Sequence, residues 1–391
     1  MTDFRPTTTS EFEAIVAEAM AREEPLELVG GGSKRGLGRP LQLPHRLDLS
    51  AFAGISLYEP EELVLTAGAA TAMAAIEAAL DDKRQMLAFE PPDWRALLGA
   101  TDTVPTIGGT LACNLAGPRR IRQGAARDHF LGFHAVSGRG EAFKAGGRVV
   151  KNVTGYDLPK LIAGSYGTLA ALIEVTVKVL PRPEATRSLV LKSLDDEAAR
   201  RAMSAALASS HEVSGAAHLP DAVSRSGART LLRLEGPGPS VEARVRALAD
   251  ELASRGAIEV LGDADSHEAW HAVRDATPFA ALSDRAVWRV SVAPTEGPAV
   301  AARVAEAMDA RHYFDWGGGL VWLAVKGAED GGASVIRAAY ASGHATLIRG
   351  SQALRLAVPV FEPQPPALAA RVRDGFDPRH ILNRGRMVRE G

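Results

Sequence analysis

Two glycine-rich stretches constrain the fold of this chain more than any other feature. The first glycine loop, GGGSKRGLG at residues 30–38, directly follows the short, mostly apolar run Leu26–Val29. The second glycine stretch, TIGGTLACNLAG, occupies residues 106–117. Glycine permits positive φ angles and a close approach of backbone N–H groups, which together form nests that hold phosphate. Two such nests predict a ligand too large for one loop, such as a dinucleotide.

The first glycine loop fits neither of the two common phosphate-binding fingerprints. The P-loop pattern G-x-x-x-x-G-K-[ST] is absent from the chain. In the Rossmann pattern a third glycine opens a helix, but Arg35 occupies that position when the count starts at Gly30. The loop therefore either binds phosphate within another fold or is an ordinary hairpin loop.

Length and charge limit the class of protein. A chain of 391 residues is too long for one ordinary core and predicts two domains or more. Lys plus Arg number 45 and Asp plus Glu number 47, a net charge of −2 that argues against a nucleic-acid partner. The local cluster Arg119, Arg120 and Arg122 indicates a small anion, a protein partner or simply an exposed surface.

Cysteine content and the amino-terminal segment indicate the compartment. The single cysteine, Cys113, excludes an internal disulfide and any all-cysteine iron–sulfur or zinc site within this chain, and favours a reducing compartment. We interpret Cys113 as a small apolar side chain near the ligand, with a redox or covalent role as the alternative. The start of the chain lacks the apolar core of a secretory signal, and no run approaches the ~20 apolar residues of a membrane span. We therefore expect a cytoplasmic protein, with any membrane contact peripheral and through partners.

Periodicity predicts alternating helices and strands. A helix at residues 9–24, capped by Thr9 or Ser10, precedes the first loop, and a helix at residues 71–80 has Thr71 as its cap. Beyond residue 188 we expect a separate α+β unit, a sheet with helices on one side. Further predicted strands lie at residues 26–29, 64–68, 86–89, 130–136, 171–180, 229–234, 288–292 and 320–325, and helices at 195–208 and 241–255.

Several further motifs follow the first glycine loop in a fixed order. They are LVLTAGAAT, FEPPD, the second glycine stretch, VVKNVTGYDLPKL and GSYGTLAALIEVTVKVLPRP. The ordered set resembles the FAD-binding domain of the vanillyl-alcohol-oxidase, or PCMH-type, flavoprotein superfamily. More narrowly, the chain is similar over nearly its whole length to the family of FAD-binding E subunits of bacterial glycolate oxidase.

This resemblance implies an α+β fold, in which a PCMH-type FAD-binding domain of two α/β lobes carries a smaller α+β cap domain. The expected boundaries are residues 1–183 for the FAD-binding domain, 184–360 for a cap that serves substrate or interface, and 361–391 for a tail that returns to the flavin. The cofactor-binding residues implied are Gly30, Gly31, Gly32, Ser33, Lys34, Arg35, Glu90, Pro91, Gly108, Gly109, Thr110, Cys113, Asn114, Gly117, Ile173 and Asn383.

Departures from the family pattern refine these expectations. The family tail reads Asn-Pro-Gly, whereas this chain has Asn383, Arg384 and Gly385, which weakens the tail assignment. Members with covalent flavin use a histidine in the first loop. Ser33 follows the glycines here and no histidine is present, so we expect non-covalent FAD.

Catalytic residues are not assigned by the sequence. The paired-histidine motif His-x-Gly-Asp-Gly-x-x-His of the catalytic sister subunit is absent, so no metal site is expected. His267 and His271, four apart on a predicted helix, are interpreted as surface residues. Oxidation of a 2-hydroxy acid needs a base and a cation for the carboxylate, and Arg289 or Lys326 are candidates for the cation.

The resemblance implies the FAD-binding subunit of a glycolate oxidase (glycolate dehydrogenase) complex, which oxidises glycolate to glyoxylate through its flavin. The implied partners are a second FAD-containing catalytic subunit, an iron–sulfur subunit, and glycolate or a similar small 2-hydroxy acid. Two alternatives remain open. One is a stand-alone FAD-dependent 2-hydroxy-acid or alcohol oxidoreductase, and the other is a non-catalytic assembly subunit with a vestigial flavin site.

Overall fold

The computed structural model describes residues 2–148, 155–224, 226–363 and 366–389. Lys151 and Asn152, in the middle of the VVKNVTGYDLPKL motif, lie outside the described residues. Helices and strands are mixed along the whole chain, which confirms the α+β class. An amino-terminal part contains two small sheets and a short strand pair, and a later part contains one large sheet.

The amino-terminal part consists of two lobes, each built on its own sheet. One lobe has a parallel sheet in the order β1-β3-β2, and the other has an antiparallel sheet in the order β4-β5-β9-β7-β8. A third pair, β6 with β10, is only two residues long. The strands are β1 (Thr2–Phe4), β2 (Leu26–Val29), β3 (His45–Asp48), β4 (Ile55–Glu59), β5 (Val64–Gly68), β6 (Gln85–Met86), β7 (Phe130–Ser137), β8 (Ala142–Gly146), β9 (Ala170–Lys178) and β10 (Leu180–Pro181). The helices are α1 (Thr9–Arg22), α2 (Met73–Asp81), α3 (Arg95–Leu98), α4 (Ile107–Ala112), α5 (Arg120–Gln123), α6 (Ala126–His129) and α7 (Leu158–Ile162).

Strand β9 joins the two lobes because both of its faces are buried. Leu172 and Val175 pack into the core of the five-stranded lobe, together with α2 and α4. Ala171 and Ile173 point the other way, into the core that β2, β3 and α1 share. A strand with two buried faces reads as a nearly continuous apolar run, which is what ALIEVTVKVL shows.

The later part is dominated by an eight-stranded antiparallel sheet, the cap sheet, in the order β14-β11-β13-β12-β16-β17-β15-β18. Its strands are β11 (Ala185–Lys192), β12 (Gly215–Leu219), β13 (Arg229–Gly236), β14 (Ile258–Leu261), β15 (Ala286–Ser291), β16 (Asp309–Asp315), β17 (Leu320–Lys326) and β18 (His344–Arg349). Its helices are α8 (Asp196–Ala208), α9 (Gly238–Leu252), α10 (Asp263–Arg274), α11 (Thr277–Ala280), α12 (Gly297–Ala307), α13 (Ala333–Ala338) and α14 (Gln352–Ala357).

Helices were predicted on one side of the cap sheet, but they pack on both sides of it. Helices α8, α9, α12 and α13 cover one face, as expected. On the opposite face, Trp270 and Val273 of α10 and Phe279 of α11 pack against the sheet beside residues of the amino-terminal part, including Trp94 and Leu97. The cap sheet is therefore buried on both faces, and one of them forms the junction with the two-lobed part.

Local capping differs from the predictions at two helices. Thr8, rather than Thr9 or Ser10, caps α1 by accepting a hydrogen bond from Glu11 N–H, because the chain is still extended at Thr8. Helix α2 begins at Met73, and the Thr71 hydroxyl instead accepts from Gly54 N–H at 2.9 Å and donates to Gly68 O at 2.6 Å. Thr71 therefore ties a loop to β5 and caps no helix.

Strand predictions are confirmed except at one place. Of residues 86–89, predicted as a strand, only Met86 joins a sheet, because β6 is Gln85–Met86 and the chain turns towards the FEPPD segment after it. The domain boundary at residue 183 stays a prediction, and the chain does pass from β10 to the cap sheet there.

The carboxyl-terminal tail returns to the first lobe. After α15 (Pro366–Phe376), Leu382 pairs with Leu26 in a short parallel bridge beside β2. Ile381 and Leu382 are fully buried in the core that also contains Phe12 and Leu47. The tail therefore completes the apolar core of the first lobe.

Candidate functional site

A cleft with about 810 Å³ of empty space is lined by both glycine stretches. Its walls come from the end of β2, the start of β9 and the carboxyl-terminal tail, so both lobes contribute to it. The cleft is open to solvent and lies where the two lobes meet.

The first glycine loop must be glycine-rich because it passes against the chain behind it. A Cβ atom on Gly31 would lie 1.9 Å from the carbonyl oxygen of Val104, and Gly32 has a φ of 80°. Within the described residues, no protein oxygen accepts a hydrogen bond from the backbone N–H of Gly31, Gly32 or Lys34. Since all three residues line the cleft, these N–H groups are donors that a bound anion can use.

The second glycine stretch is not a second nest. Its helix α4 begins after Thr106, whose hydroxyl accepts from Gly109 N–H. Gly108 N–H donates to Ala69 O at 2.8 Å, and a Cβ on Gly108 would lie 2.7 Å from that oxygen. The glycines here allow close packing of backbone on backbone, and their N–H groups are satisfied by protein. The expectation of two phosphate nests is therefore wrong for this stretch, which shapes the wall of the cleft instead.

The ionisable side chains Arg35, Lys34 and Cys113 lie around the cleft and differ in pairing and burial. Arg35 forms a bidentate ion pair with the buried Glu27, at 2.9 and 2.6 Å, so its guanidinium is already used. Lys34 lies deeper, and burial lowers the pKa of its ammonium group because water no longer solvates the charge. Burial also raises the pKa of the Cys113 thiol to about 11, so Cys113 is neutral at physiological pH.

Asn383 in the tail connects two segments that line the cleft through its side-chain hydrogen bonds. Its side-chain oxygen accepts from Leu28 N–H at 2.8 Å, and its amide donates to Tyr166 O at 2.8 Å. The residue itself has a φ of 45°, a left-handed conformation that asparagine adopts more readily than most residues. One buried amide thus joins β2, the tail and the loop before β9.

Comparison with known proteins decides the family. Residues 3–146 match the family described as FAD binding domain. The chain is 35% identical over 378 residues to glycolate oxidase subunit GlcE of Escherichia coli (strain K12), an alignment that covers 96% of both chains. The chain belongs to the glycolate oxidase subunit GlcE family. It also shares 35% identity over 116 residues with glycolate oxidase subunit GlcD of Bacillus subtilis (strain 168), which covers 30% of this chain and 24% of that protein.

Solved structures identify the fold of this GlcE-family chain. The structure of p-cresol methylhydroxylase with substrate bound aligns with a TM-score of 0.73 at 12% identity, over 98% of this chain and 88% of that one. A 4-ethylphenol oxidase from Gulosibacter chungangensis aligns with a TM-score of 0.72 at 14% identity, over 99% and 88% of the two chains. The predicted PCMH-type fold is therefore confirmed.

Most of the residues predicted to hold the cofactor lie together. Those that line the cleft are Gly30, Gly31, Gly32, Ser33, Lys34, Arg35, Gly108, Gly109, Cys113 and Asn383. They come from two distant stretches and the tail, which only the tertiary fold brings into one place. Their contact with a cofactor stays a prediction.

The other predicted residues lie outside the lining of the cleft. Thr110 donates to Thr106 O inside α4, and Asn114 accepts from Arg127 N–H. Ile173 packs into the core between the lobes, and its carbonyl accepts from Ala69 N–H at 2.7 Å. Pro91 and Gly117 do not line it either.

Glu90 belongs to a buried ionic cluster between the two-lobed part and the cap sheet. It accepts from Arg233 at 2.8 and 3.0 Å and pairs with Arg119 at 2.9 Å, while Arg119 also pairs with Glu235. Burial raises the pKa of Glu90, but the attraction of Arg233 and Arg119 outweighs it, and the net shift is downward. The geometry around Glu90 thus suits attachment of the cap sheet to the two-lobed part.

Three polar residues that line the cleft were not predicted from the sequence: Thr106, Tyr166 and Arg386. Tyr166 stands in the Gly-Ser-Tyr-Gly-Thr loop, where an aromatic between two glycines was the available signal. Arg386 donates to the carbonyls of Arg35 and Leu37, so it braces the first loop from the tail. Nothing in its local sequence signals this role, since the loop is more than 300 residues away.

The two cations considered for a substrate carboxylate have different surroundings. Lys326 pairs with Asp284 at 2.5 Å on an exposed part of the surface and does not line the cleft. Arg289 lies on β15, the strand next to the edge of the cap sheet, among tryptophan rings. His267 and His271 do lie on one helix, α10, and no group of three His, Cys, Asp or Glu residues in the described chain is arranged to hold a metal ion.

The residues of the cleft fit FAD. Unpaired N–H groups at Gly31, Gly32 and Lys34 suit the diphosphate, and the lining also offers apolar surface at Leu28 and Val29.

Within the described ranges, no helix is both long and apolar enough to cross a bilayer.

Proposed function

We propose that this chain is the FAD-binding subunit of a glycolate oxidase (glycolate dehydrogenase) complex that oxidises glycolate to glyoxylate. The observation that carries the proposal is its 35% identity to the GlcE subunit over 96% of both chains. The partial match to a GlcD subunit supports an oxidase whose subunits share the flavin-binding fold.

FAD, held non-covalently in the cleft, supplies the acceptor for the two electrons of the oxidation. The backbone N–H groups of the first glycine loop would bind its diphosphate, with Lys34 adding a positive charge. Ser33 occupies the place after the glycines, so this loop has no histidine to attach a flavin covalently. Arg386 and Asn383 hold the loop and the tail in position around the cofactor.

The proposed partners are a second FAD-containing catalytic subunit and an iron–sulfur subunit that passes the electrons on. The single cysteine of this chain supports the division of labour, because a cysteine-ligated cluster needs several thiolates. We place the complex in the cytoplasm, with peripheral contact at the inner membrane through its partners.

Flavin content tests the cofactor assignment directly. The purified full chain should show the visible absorption of oxidised flavin, and acid precipitation should release FAD into the supernatant. Flavin that stays with the precipitate would contradict non-covalent binding. A colourless protein that takes up no added FAD would overturn the cofactor assignment.

Co-expression tests the assembly. The tagged chain, expressed with the flavoprotein and cysteine-rich proteins of neighbouring genes, should co-purify with both, and the complex should reduce an artificial acceptor with glycolate. Comparable turnover by the isolated chain would favour a stand-alone oxidoreductase instead. An active complex in which this chain carries no FAD would favour an assembly subunit with a vestigial site.

A further inference from the structure

Arg289 stands in an aromatic enclosure at the junction of the cap sheet and the two-lobed part. Its guanidinium carbon lies 5.3 Å from the ring centroids of Trp94 and Trp316, and 5.4 Å from that of Trp322. On β15 it is flanked by Val287, whose side chain packs on the face of the sheet that meets the two-lobed part. An arginine beside three indole rings is held in place by cation–π contacts, and Arg289 is partly buried with its Nε inaccessible to water.

Among the described residues, no carboxylate forms a salt bridge with Arg289. Its Nε is buried and has no hydrogen-bond partner. Burial, together with repulsion from Arg120, outweighs the attraction of Asp315 and lowers the pKa of Arg289 to about 10, so the side chain is still a cation at neutral pH. A partly buried charge without a salt-bridge partner is unfavourable, which makes the site suited to an anion from outside the chain.

Arg120 supplies a second cation against the same ring. Its guanidinium carbon lies 4.6 Å from the centroid of Trp316, and it too forms no salt bridge with a described carboxylate. Arg122, on the same short helix, is half exposed and lies 3.8 Å from Glu212. The two arginines at Trp316 are therefore distinct from the ordinary surface arginine beside them.

This arginine pair is close to the cleft. Tyr166 and Cys113 line the cleft and pack in the same apolar cluster as Trp94, Trp316 and Trp322, the three rings around Arg289. Trp316 donates its indole N–H to Gly117 O at 3.2 Å, which joins the enclosure to the end of the second glycine stretch. Asp315, adjacent in sequence, accepts from Trp316 N–H and forms no salt bridge to either arginine.

We propose that Arg289 and Arg120 bind the carboxylate of a small 2-hydroxy acid beside the cleft, where both guanidinium groups contact the ring of Trp316. The inference rests on the proposed function, since it names a substrate site for this chain in addition to its cofactor site. A guanidinium presents paired N–H donors that match the two oxygens of a carboxylate.

Calorimetric titration of the full chain with glycolate, and with the dicarboxylate oxalate, tests the pair. Arg289→Gln and Arg120→Gln should each weaken binding by at least about tenfold, because each removes a charge-assisted hydrogen-bond donor. Arg289→Lys should recover part of the affinity, since it restores the charge without the fork. Arg122→Gln is the matched control and should bind as the wild type does, and FAD content should be equal in all variants.

The titration tests the arginine site and the flavin measurement tests the cofactor assignment, so one hypothesis can be contradicted while the other stands. Wild-type protein that contains FAD but binds neither acid, or Gln variants that bind as tightly as wild type, would overturn the arginine site and leave the cofactor assignment intact. Inorganic phosphate binding as tightly as glycolate would overturn the carboxylate class. A chain without FAD would contradict the proposed function, whereas the titration of that same protein still reports on the arginines.

Discussion

At the scale of single residues, the first glycine loop is constrained by the chain behind it as much as by a ligand in front. Gly31 faces the carbonyl of Val104, and no side chain fits between them. Gly36, in the same loop, has only ordinary contacts of 3.6 Å to Leu98. Gly31 therefore has a steric requirement for glycine, whereas Gly36 has room for a Cβ atom.

Gly31→Ala should displace the loop from Val104, destabilise the protein by about 1–3 kcal/mol and abolish flavin binding. Gly36→Ala should leave both properties near the wild-type values, because its Cβ has room. The measurements are the ratio of FAD to protein in the purified variants and the free energy of unfolding in denaturant. Normal FAD content in Gly31→Ala would show that the loop does not need its close approach to Val104.

The buried carboxylates of the Glu90 cluster also affect stability at the residue scale, because folding changes the free energy of their ionisation. Glu235, in the same cluster, is buried, yet attraction by Arg233 and Arg119 brings the net pKa down from the ordinary 4.5 to about 2. A carboxylate whose pKa is lowered by folding stabilises the protein above pH 4.5, and this contribution is lost as pH falls from about 4.5 to about 2. Stability should therefore decline across that acidic window.

Glu90→Gln should lower the free energy of unfolding by about 3–5 kcal/mol at neutral pH, because it leaves the buried Arg233 and Arg119 with Glu235 as their one shared carboxylate. It should also reduce the loss of stability as the pH falls below 4.5, because the pKa of Glu90 is lowered in the folded protein too. Glu259→Gln removes the exposed pair with Lys192 and should change stability by less than about 1 kcal/mol. Equal effects of the two substitutions would rule out a special role for the buried cluster.

At the scale of elements, the tail and β2 act as one unit. Leu26 N–H donates to Ile381 O at 2.7 Å and Asn383 N–H donates to Leu26 O at 2.9 Å, so the tail extends the parallel sheet of the first lobe. The side chain of Asn383 then reaches Leu28 and Tyr166. Replacement of the family proline by Arg384 leaves these contacts in place, although their importance for the flavin is a prediction.

Asn383→Ala removes both side-chain hydrogen bonds and leaves Leu28 N–H and Tyr166 O without partners. We expect a loss of about 1–3 kcal/mol in stability and weaker retention of FAD during dialysis. Asn383→Asp keeps the acceptor for Leu28 N–H and loses only the donor to Tyr166 O. Its stability should therefore lie between those of the wild type and Asn383→Ala. Retention of FAD at the wild-type level in Asn383→Ala would separate the tail from the cofactor site.

At the scale of the whole molecule, the cap sheet and the two-lobed part share one apolar core. Trp94 packs edge-on against Trp322 at 5.4 Å and donates its indole N–H to Arg274 O at 3.1 Å. Leu37, Leu97 and Leu115 from the two-lobed part join the same core. We therefore expect the two parts to unfold together.

Trp94→Ala should lower stability by about 3–5 kcal/mol and separate unfolding into two calorimetric transitions, because the shared core is lost. Tyr156→Ala removes an aromatic ring that is 89% exposed and should leave the wild-type transition unchanged. A single transition in Trp94→Ala would mean that the ionic cluster around Glu90 is sufficient to couple the two parts.

Much of this architecture was accessible from the sequence, for particular reasons. Strands β2, β5, β7 and β9 are short apolar runs ended by glycine or proline, and local pattern is enough to locate them. Helix α8 was located to within one residue, because helix periodicity begins abruptly after Asp195. The cap of α2 was predicted wrongly, since Thr71 has a competing set of hydrogen bonds to the Gly54 loop and β5 that local sequence does not encode.

The sequence by itself determined the family, the FAD-binding domain and the loop that must be glycine, because these depend on ordered motifs and on backbone conformation. Only the tertiary structure decided which polar groups are free. Arg35 is occupied by Glu27 and Glu90 by Arg233, whereas Arg289 has no counter-ion among the described residues. The physical reason is that the energy of a charge depends on its partners and its access to water. Both are set by the residues that the fold brings alongside, at sequence separations of 8 for Arg35 and Glu27 and 143 for Glu90 and Arg233.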